Sequence, residues 1–117
     1  MYVLIVDDEA IQRTLLSGFL EKQGYTVLQA ESGGTALALF MQYPVDLVLL
    51  DHRMPDMNGD QVLARMKEQN PLVRVIMITA YGAVDTAVRV MQLGADDFLE
   101  KPVDLTLLLA RIRAIEE

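Results

Sequence analysis

The chain has 117 residues, 52% hydrophobic and 23% charged, which fits one globular domain over 1–117 and excludes a disordered segment. Cysteine is absent, which excludes a disulfide framework or a thiolate metal site and points to a reducing, cytoplasmic setting. The net charge of −7, with no basic cluster beyond scattered arginines near the C-terminus, excludes the footprint of direct nucleic-acid binding and suits a divalent cation or a basic partner.

The first strand is predicted over 2–7, where an apolar run stops at Asp7. That run is too short, and lacks the basic start, for a signal peptide. No later run approaches the roughly 20 residues needed to cross a bilayer, so no membrane association is expected. A helix over 9–23 follows, with Ile11, Leu15, Leu16, Phe19 and Leu20 on one inward stripe and Gly24 as its stop. Strand two, over 25–30, mixes polar and apolar residues as an edge strand does. Ser32 is the expected N-cap of a second helix that turns Ala36, Leu37, Phe40 and Met41 inward and ends before Pro44. Strands three and four, over 45–50 and 73–78, are nearly continuous apolar runs, as expected of parallel strands covered on both faces. Between them Asn58-Gly59-Asp60 opens a third helix with Val62, Leu63 and Met66 inside, and Pro71 marks the next turn. A fourth helix is predicted from Ala83 to Leu93, closed by Gly94, then a fifth strand over 97–100 and a fifth helix after Pro102. This alternation implies an α/β sandwich, a doubly wound parallel sheet with right-handed crossovers.

Ligands of such a sheet bind beyond the carboxyl ends of its strands. Strand one ends in Asp7-Asp8-Glu9, strand three in Asp51, strand four in Thr79 and strand five in Lys101; strand two offers only Glu31. Taken singly, Asp7-Asp8 read as an acidic first helical turn, Lys101 as a surface lysine and Thr79 as a turn residue. Their joint placement carries the functional reading. Three carboxylates at close quarters repel one another unless a cation sits among them, and oxygen ligands with retained water are what Mg²⁺ takes. Asp51 emerges from an apolar strand, where a carboxylate can attack phosphorus and form an acyl phosphate, with Lys101 and Thr79 to stabilise charge. Lys101-Pro102 is a bond that can adopt the cis form, with trans the default from sequence alone.

The ordered set Asp7-Asp8, Asp51-x-x-Met54-Pro55-x-Met57-x-Gly59, Thr79-Ala80 and Phe98-x-x-Lys101-Pro102 resembles, from end to end, the receiver domain of two-component response regulators. The resemblance implies a flavodoxin-like (βα)5 sandwich with strand order 2-1-3-4-5. It also implies a phosphoryl group taken from a sensor histidine kinase with Mg²⁺, lost slowly rather than turned over. Carried over by position, Asp51 is the phosphoacceptor, Asp8 and the Arg53 carbonyl join it as metal ligands, and Asp7 holds the metal through water. Lys101 contacts the phosphoryl oxygens, Thr79 hydrogen-bonds them and draws Phe98 inward, and the Lys101-Pro102 bond is cis. Arg53 and Tyr81 stand where the family varies and are implied to tune access of water to the acyl phosphate. His52, the only histidine, is read as structural.

The stretch from Thr79 to Val88, followed by Met91-Gln92-Leu93-Gly94-Ala95, is also similar to the receivers of NtrC-like transcriptional activators, whose output domain would lie outside this chain. A free-standing regulator is the alternative. An aspartyl-nucleophile phosphohydrolase carries a second aspartate two residues after the first, where this chain has Arg53, and the strand-end loops lack the hydroxyl- and glycine-rich cradle of a flavodoxin-like binding module. Helices four and five hold more apolar residues than one buried face needs. With Val84, Ala87, Val88, Met91 and Ala95 inward on helix four, and Leu105, Leu108, Leu109, Ile112 and Ile115 inward on helix five, Val90, Leu93 and Leu107 are left over. They predict a partner face for a second receiver, giving a phosphorylation-dependent homodimer.

Overall fold

The computed structural model describes residues 1–80 and 84–116, without the side chains of Val84 and Asp85. In chain order the elements are β1 (Tyr2–Val6), α1 (Ala10–Lys22), β2 (Thr26–Ala30), α2 (Gly33–Gln42), β3 (Val45–Asp51), α3 (Gly59–Gln69), β4 (Arg74–Thr79), α4 (Val84–Gln92), β5 (Asp97–Glu100) and α5 (Leu105–Glu116). The strands form one parallel sheet in the order β2-β1-β3-β4-β5. β2, read as an edge strand, stands at one edge. β3 and β4 each run one residue further than their apolar runs, so Asp51 and Thr79 are the last residues of strands rather than the first of loops.

Alternation along the strands divides the core in two. Leu4, Val6, Val48, Leu50, Val75 and Met77 face α2 and α3, meeting Ala36, Phe40, Val62, Leu63 and Met66. Val3, Ile5, Leu47, Leu49, Ile76 and Ile78 face α1 and α5, meeting Leu16, Leu20, Leu108 and Ile112. Both faces being covered explains why the central strands carry no polar residue between their ends except Asp46, at the exposed start of β3, where it accepts from the Tyr2 N–H at 2.8 Å.

Five inward assignments, on α1, α2 and α4, are corrected. Ile11 is 85% exposed and Leu15 is also exposed, because both lie more than about 100° around α1 from the Leu16–Leu20 line that meets the sheet. Met41 is exposed because it lies about 100° past buried Phe40 at the end of α2. On α4 the phase is turned by about 100°: Val90 is 0% exposed and joins the α3-side core, while Val88 and Met91 point outward. The apolar residues of α4 lie on one arc with Val90 at its edge, and the helix is turned so that this edge rather than the Val88–Met91 centre meets the core, which also lets Arg89 reach its ion-pair partner on α3. The α5 stripe stands as expected, with Leu108 and Ile112 buried and Leu105, Leu109 and Ile115 half-buried.

The helix starts follow their caps. Ser32 accepts from the Thr35 N–H at 3.2 Å, and Asn58 and Gln61 form a reciprocal capping box. Gly24 and Gly94 turn the chain after α1 and α4 with φ of 93° and 107°, where L side chains are strained. Gly59 is required for a different reason: a Cβ there would lie 2.7 Å from the Asp51 carbonyl oxygen and 3.0 Å from the His52 Cα. Neither is a flexible side chain, so Gly59→Ala is expected to lower stability by about 1–3 kcal/mol. Gly18→Ala, within α1 and with no heavy atom within 4 Å, should instead raise it by about 0.5–1 kcal/mol. Urea unfolding midpoints of the two variants check the contrast, and a neutral Gly59→Ala would contradict it.

Candidate functional site

The register brings the strand ends level. Val6 pairs with Leu50, Asp51 with Ile78 and Thr79 with Glu100, so Asp51, Thr79 and Lys101 border one cleft, with Asp7 buried beside it. Asp8, Glu9, Asp51, Arg53, Thr79, Ala80 and Lys101 line it. Asp7, Asp51 and Thr79 are buried, whereas Asp8 is open to solvent at the rim.

Lys101 is the centre of charge. Its Nζ lies 3.1 Å from Asp7 Oδ2, 3.4 Å from Asp51 Oδ2 and 3.6 Å from Glu9 Oε1. Burial works against its charge, but the three carboxylates outweigh that and raise its pKa above the ordinary lysine value. The Lys101 N–H donates to the Thr79 carbonyl at 2.7 Å, which fixes the end of β5 against β4, and the Lys101-Pro102 bond is cis.

Asp51 is held differently. Burial, then the nearby Asp7 carboxylate, push its pKa up to about 6, against the pull of Lys101 and a hydrogen bond from the Arg53 backbone. Carboxylate oxygens of Asp7, Asp8 and Asp51 come within 4.8 Å of one another. Three hard oxygen donors, two of them buried, fit a divalent cation, which would remove the mutual repulsion. Asp7 already has work for both oxygens, since Oδ1 accepts from the Glu9 N–H at 2.9 Å while Oδ2 faces Lys101.

Several supports were not evident in the sequence. Arg13 donates to the Asp7 carbonyl at 2.7 Å from one turn into α1. Asp56 accepts from the Gly33 and Gly34 N–H groups at 3.0 and 2.9 Å, so the loop after Asp51 is clipped to the N-terminus of α2; these bonds lower the Asp56 pKa, Gly34 foremost. Glu9 was legible as a neighbour of the acidic pair, and the partner of Arg13 is only six residues away, but the partners of Asp56 lie across the fold and leave no local signal. Phe98 is half-buried against the α3-side core and borders a surface groove with Pro102 and Leu107. Of the expected partner face, Leu93 and Leu107 are exposed and Val90 is not. Tyr81 lies outside the described residues. His52 does not enter the cleft; its Nε2 lies 3.2 Å from Asp60 Oδ1.

A family model described as the response regulator receiver domain matches residues 3–113. The alginate biosynthesis transcriptional regulatory protein AlgB of Pseudomonas aeruginosa is 40% identical over 128 residues, covering 98% of this chain and 28% of that protein. The transcriptional regulatory protein ZraR of Escherichia coli is 41% identical over 110 residues, covering 94% and 25%, and a cyclic di-GMP phosphodiesterase of Thermotoga maritima is 38% identical over 112, covering 96% and 30%. The chain thus spans under a third of the length of these relatives. Among solved structures, a CheY-like receiver domain protein from Methanospirillum hungatei superposes with a TM-score of 0.94 at 32% identity, covering 98% of this chain and 93% of that one. A chain of the CheX-CheY-BeF3-Mg²⁺ complex from Borrelia burgdorferi gives 0.95 at 32%, covering 100% and 90%.

The raised Asp51 pKa has a stability consequence. Between about pH 4 and pH 6 the folded, metal-free chain binds more protons at Asp51 than the unfolded chain does, so stability falls as pH rises through that window. At pH 7 the ionised carboxylate costs the metal-free fold on the order of 2 kcal/mol. Asp51→Asn is therefore expected to raise the thermal midpoint at pH 7 in the presence of a chelator, by about 4–8 °C per kcal/mol, with the gain shrinking toward pH 4. Calorimetry at the two pH values tests this; equal midpoints at pH 7 would refute it.

Proposed function

Because this chain belongs to the response regulator receiver family, we propose that it accepts a phosphoryl group on Asp51 from a phosphohistidine of a sensor histidine kinase and holds it as a signal. The observation that carries this reading is Lys101 Nζ standing between two buried carboxylates, 3.1 Å from Asp7 and 3.4 Å from Asp51, at the mouth of a parallel sheet. A carboxylate oxygen of Asp51 attacks phosphorus, the bond from phosphorus to the donor's imidazole nitrogen breaks, and its electron pair leaves with that nitrogen. Lys101 is free to follow the new negative oxygens because its present partners share the same cleft. Thr79, at the end of the adjacent strand, supplies a hydroxyl to them and links the site to Phe98.

Mg²⁺ is the cation proposed for the acidic cluster, where it would neutralise charge on the reacting oxygens. Asp8 and Asp51 would hold it directly with the Arg53 carbonyl, and Asp7 through water. The division suits the residues: both Asp7 oxygens already face donors of this chain, whereas Asp8 is exposed at the rim. One phosphoryl group per chain, without turnover, distinguishes this role from that of a hydrolase. The reading further takes 1–117 as one receiver unit in the cytoplasm, with DNA contact left to another segment. Among the described residues no helix is long and apolar enough to cross a membrane. The similarity to AlgB and ZraR favours a transcription-activating output domain.

Intact mass after incubation with acetyl phosphate and Mg²⁺ should show one added phosphoryl group, lost on chelation of the metal beforehand and absent from Asp51→Asn. No addition to the wild-type chain would overturn the proposal. In the same assay Arg53→Ala with Tyr81→Ala should change the half-life of the adduct, and an unchanged half-life would remove the tuning role of those two residues. Leu93 and Leu107, exposed on either side of β5, are proposed as the partner face. A Leu93→Glu, Leu107→Glu chain should stay monomeric in sedimentation when phosphorylated; assembly equal to wild type would exclude that face.

A further inference from the structure

Helix α4 is thinly attached to the sheet. Among its described residues only Val90 is buried, whereas α3 buries Gly59, Val62, Leu63 and Met66. Its second attachment is ionic. Arg89 Nε lies 2.9 Å from Asp60 Oδ2 in the first turn of α3, Asp60 Oδ1 lies 3.2 Å from His52 Nε2, and Arg89 Nη2 lies 3.4 Å from that same nitrogen. Asp60 is largely buried, and its place at a helix N-terminus favours its negative charge.

His52 brings this cluster to the reacting strand. It directly follows Asp51, its N–H donates to the Ile78 carbonyl at 3.1 Å, and its carbonyl accepts from the Gly59 N–H at 2.7 Å. The residue is therefore fixed by backbone bonds to β4 and α3, while its Nε2 lies near both charged partners and can bond one of them at a time, accepting from Arg89 Nη2 or donating to Asp60 Oδ1 according to its tautomer. One cluster so joins the residue after the phosphoacceptor, the start of α3 and the last turn of α4.

We propose that Asp60, through Arg89 and His52, latches α4 to the end of the phosphoacceptor strand and favours the unphosphorylated arrangement. This rests on the phosphoacceptor reading of Asp51. His52 directly follows Asp51 while Asp60 and Arg89 lie on α3 and α4, so any shift of α4 that accompanies a phosphoryl group on Asp51 works against the latch. By linkage, whatever stabilises the resting arrangement disfavours the phosphorylated one by the same factor, and loss of the latch favours it. Asp60 and Arg89 are positioning residues here, since neither borders the cleft.

The test uses the whole chain as wild type, Arg89→Ala, Asp60→Ala, the double variant, and the exchanged pair Asp60→Arg with Arg89→Asp. Arg89 is more than half exposed, so its truncation spares the core. Hydrogen exchange over 84–92 should quicken about two- to fivefold in each single variant, no further in the double variant, and return toward wild type in the exchanged pair. Initial phosphoryl uptake from acetyl phosphate with Mg²⁺, read by intact mass, should rise by a similar factor in the single variants. Unchanged exchange in α4, or single effects that add in the double variant, would overturn the latch. Faster exchange with unchanged uptake would reduce it to a structural contact and overturn the coupling. A wild-type chain that takes up no phosphoryl group would fail the phosphoacceptor reading itself, an outcome distinct from wild-type uptake that the variants leave unaltered.

Discussion

Two aspartates buried at the ends of adjacent parallel strands, with a third at the rim, are a charge problem that the rest of this molecule is arranged around. Their carboxylate oxygens approach within 4.8 Å, and burial removes the water that would screen them. Lys101 answers part of the problem from the end of β5. One lysine cannot neutralise Asp7, Asp51 and Glu9 together, and burial first, then the Asp7 carboxylate, hold the Asp51 carboxyl up at about 6. A site of this kind gains from any group that brings positive charge into it, which is why stability and affinity for a cation are tied together here.

The loops that carry these residues are held by bonds to the main chain as well as by packing, since Met54 and Met57 lie against the core. Glu9 N–H and Arg13 grip Asp7 from both sides, Asp56 fastens the segment after Asp51 to two N–H groups of α2, and the Asn58–Gln61 capping box starts α3 at once. Gly59 lets that start press against the Asp51 carbonyl. Preorganisation of this kind keeps charged groups in place before a ligand arrives, so binding does not have to order them. By contrast α4 hangs on Val90 and an ionic cluster. The rigid reacting strand and the loosely attached helix meet at His52, where a change at one is felt by the other.

The face formed by α4, β5 and α5 combines that loosely held helix with exposed Leu93 and Leu107 and half-buried Phe98. Ion pairs elsewhere on the sheet have a different use: Asp96 binds Lys67, Arg74 and the Val75 N–H, locking the entrance of β5 beside β4. The entrance of β5 is thus fixed, and its exit at Lys101 belongs to the cleft.

Much of the molecule was legible in its residues because parallel α/β order writes itself locally. Uninterrupted apolar runs, caps at Ser32 and Asn58, and glycines after α1 and α4 determined the ten elements, and the polar residues that end those runs determined the composition of the cleft. What the chain by itself left open were rotations and long-range pairings. Val90 faces inward and Met91 outward, and Ile11 and Leu15 face solvent, because the inner face of a helix rich in apolar residues is chosen by the surface it packs on and by partners such as Asp60, not by its own periodicity. The sequence alone therefore determined which groups reach the cleft. Only the tertiary structure decided how they are charged, what holds them, and which helix is tied to them, since burial and contacts between distant segments exist only once the chain is folded.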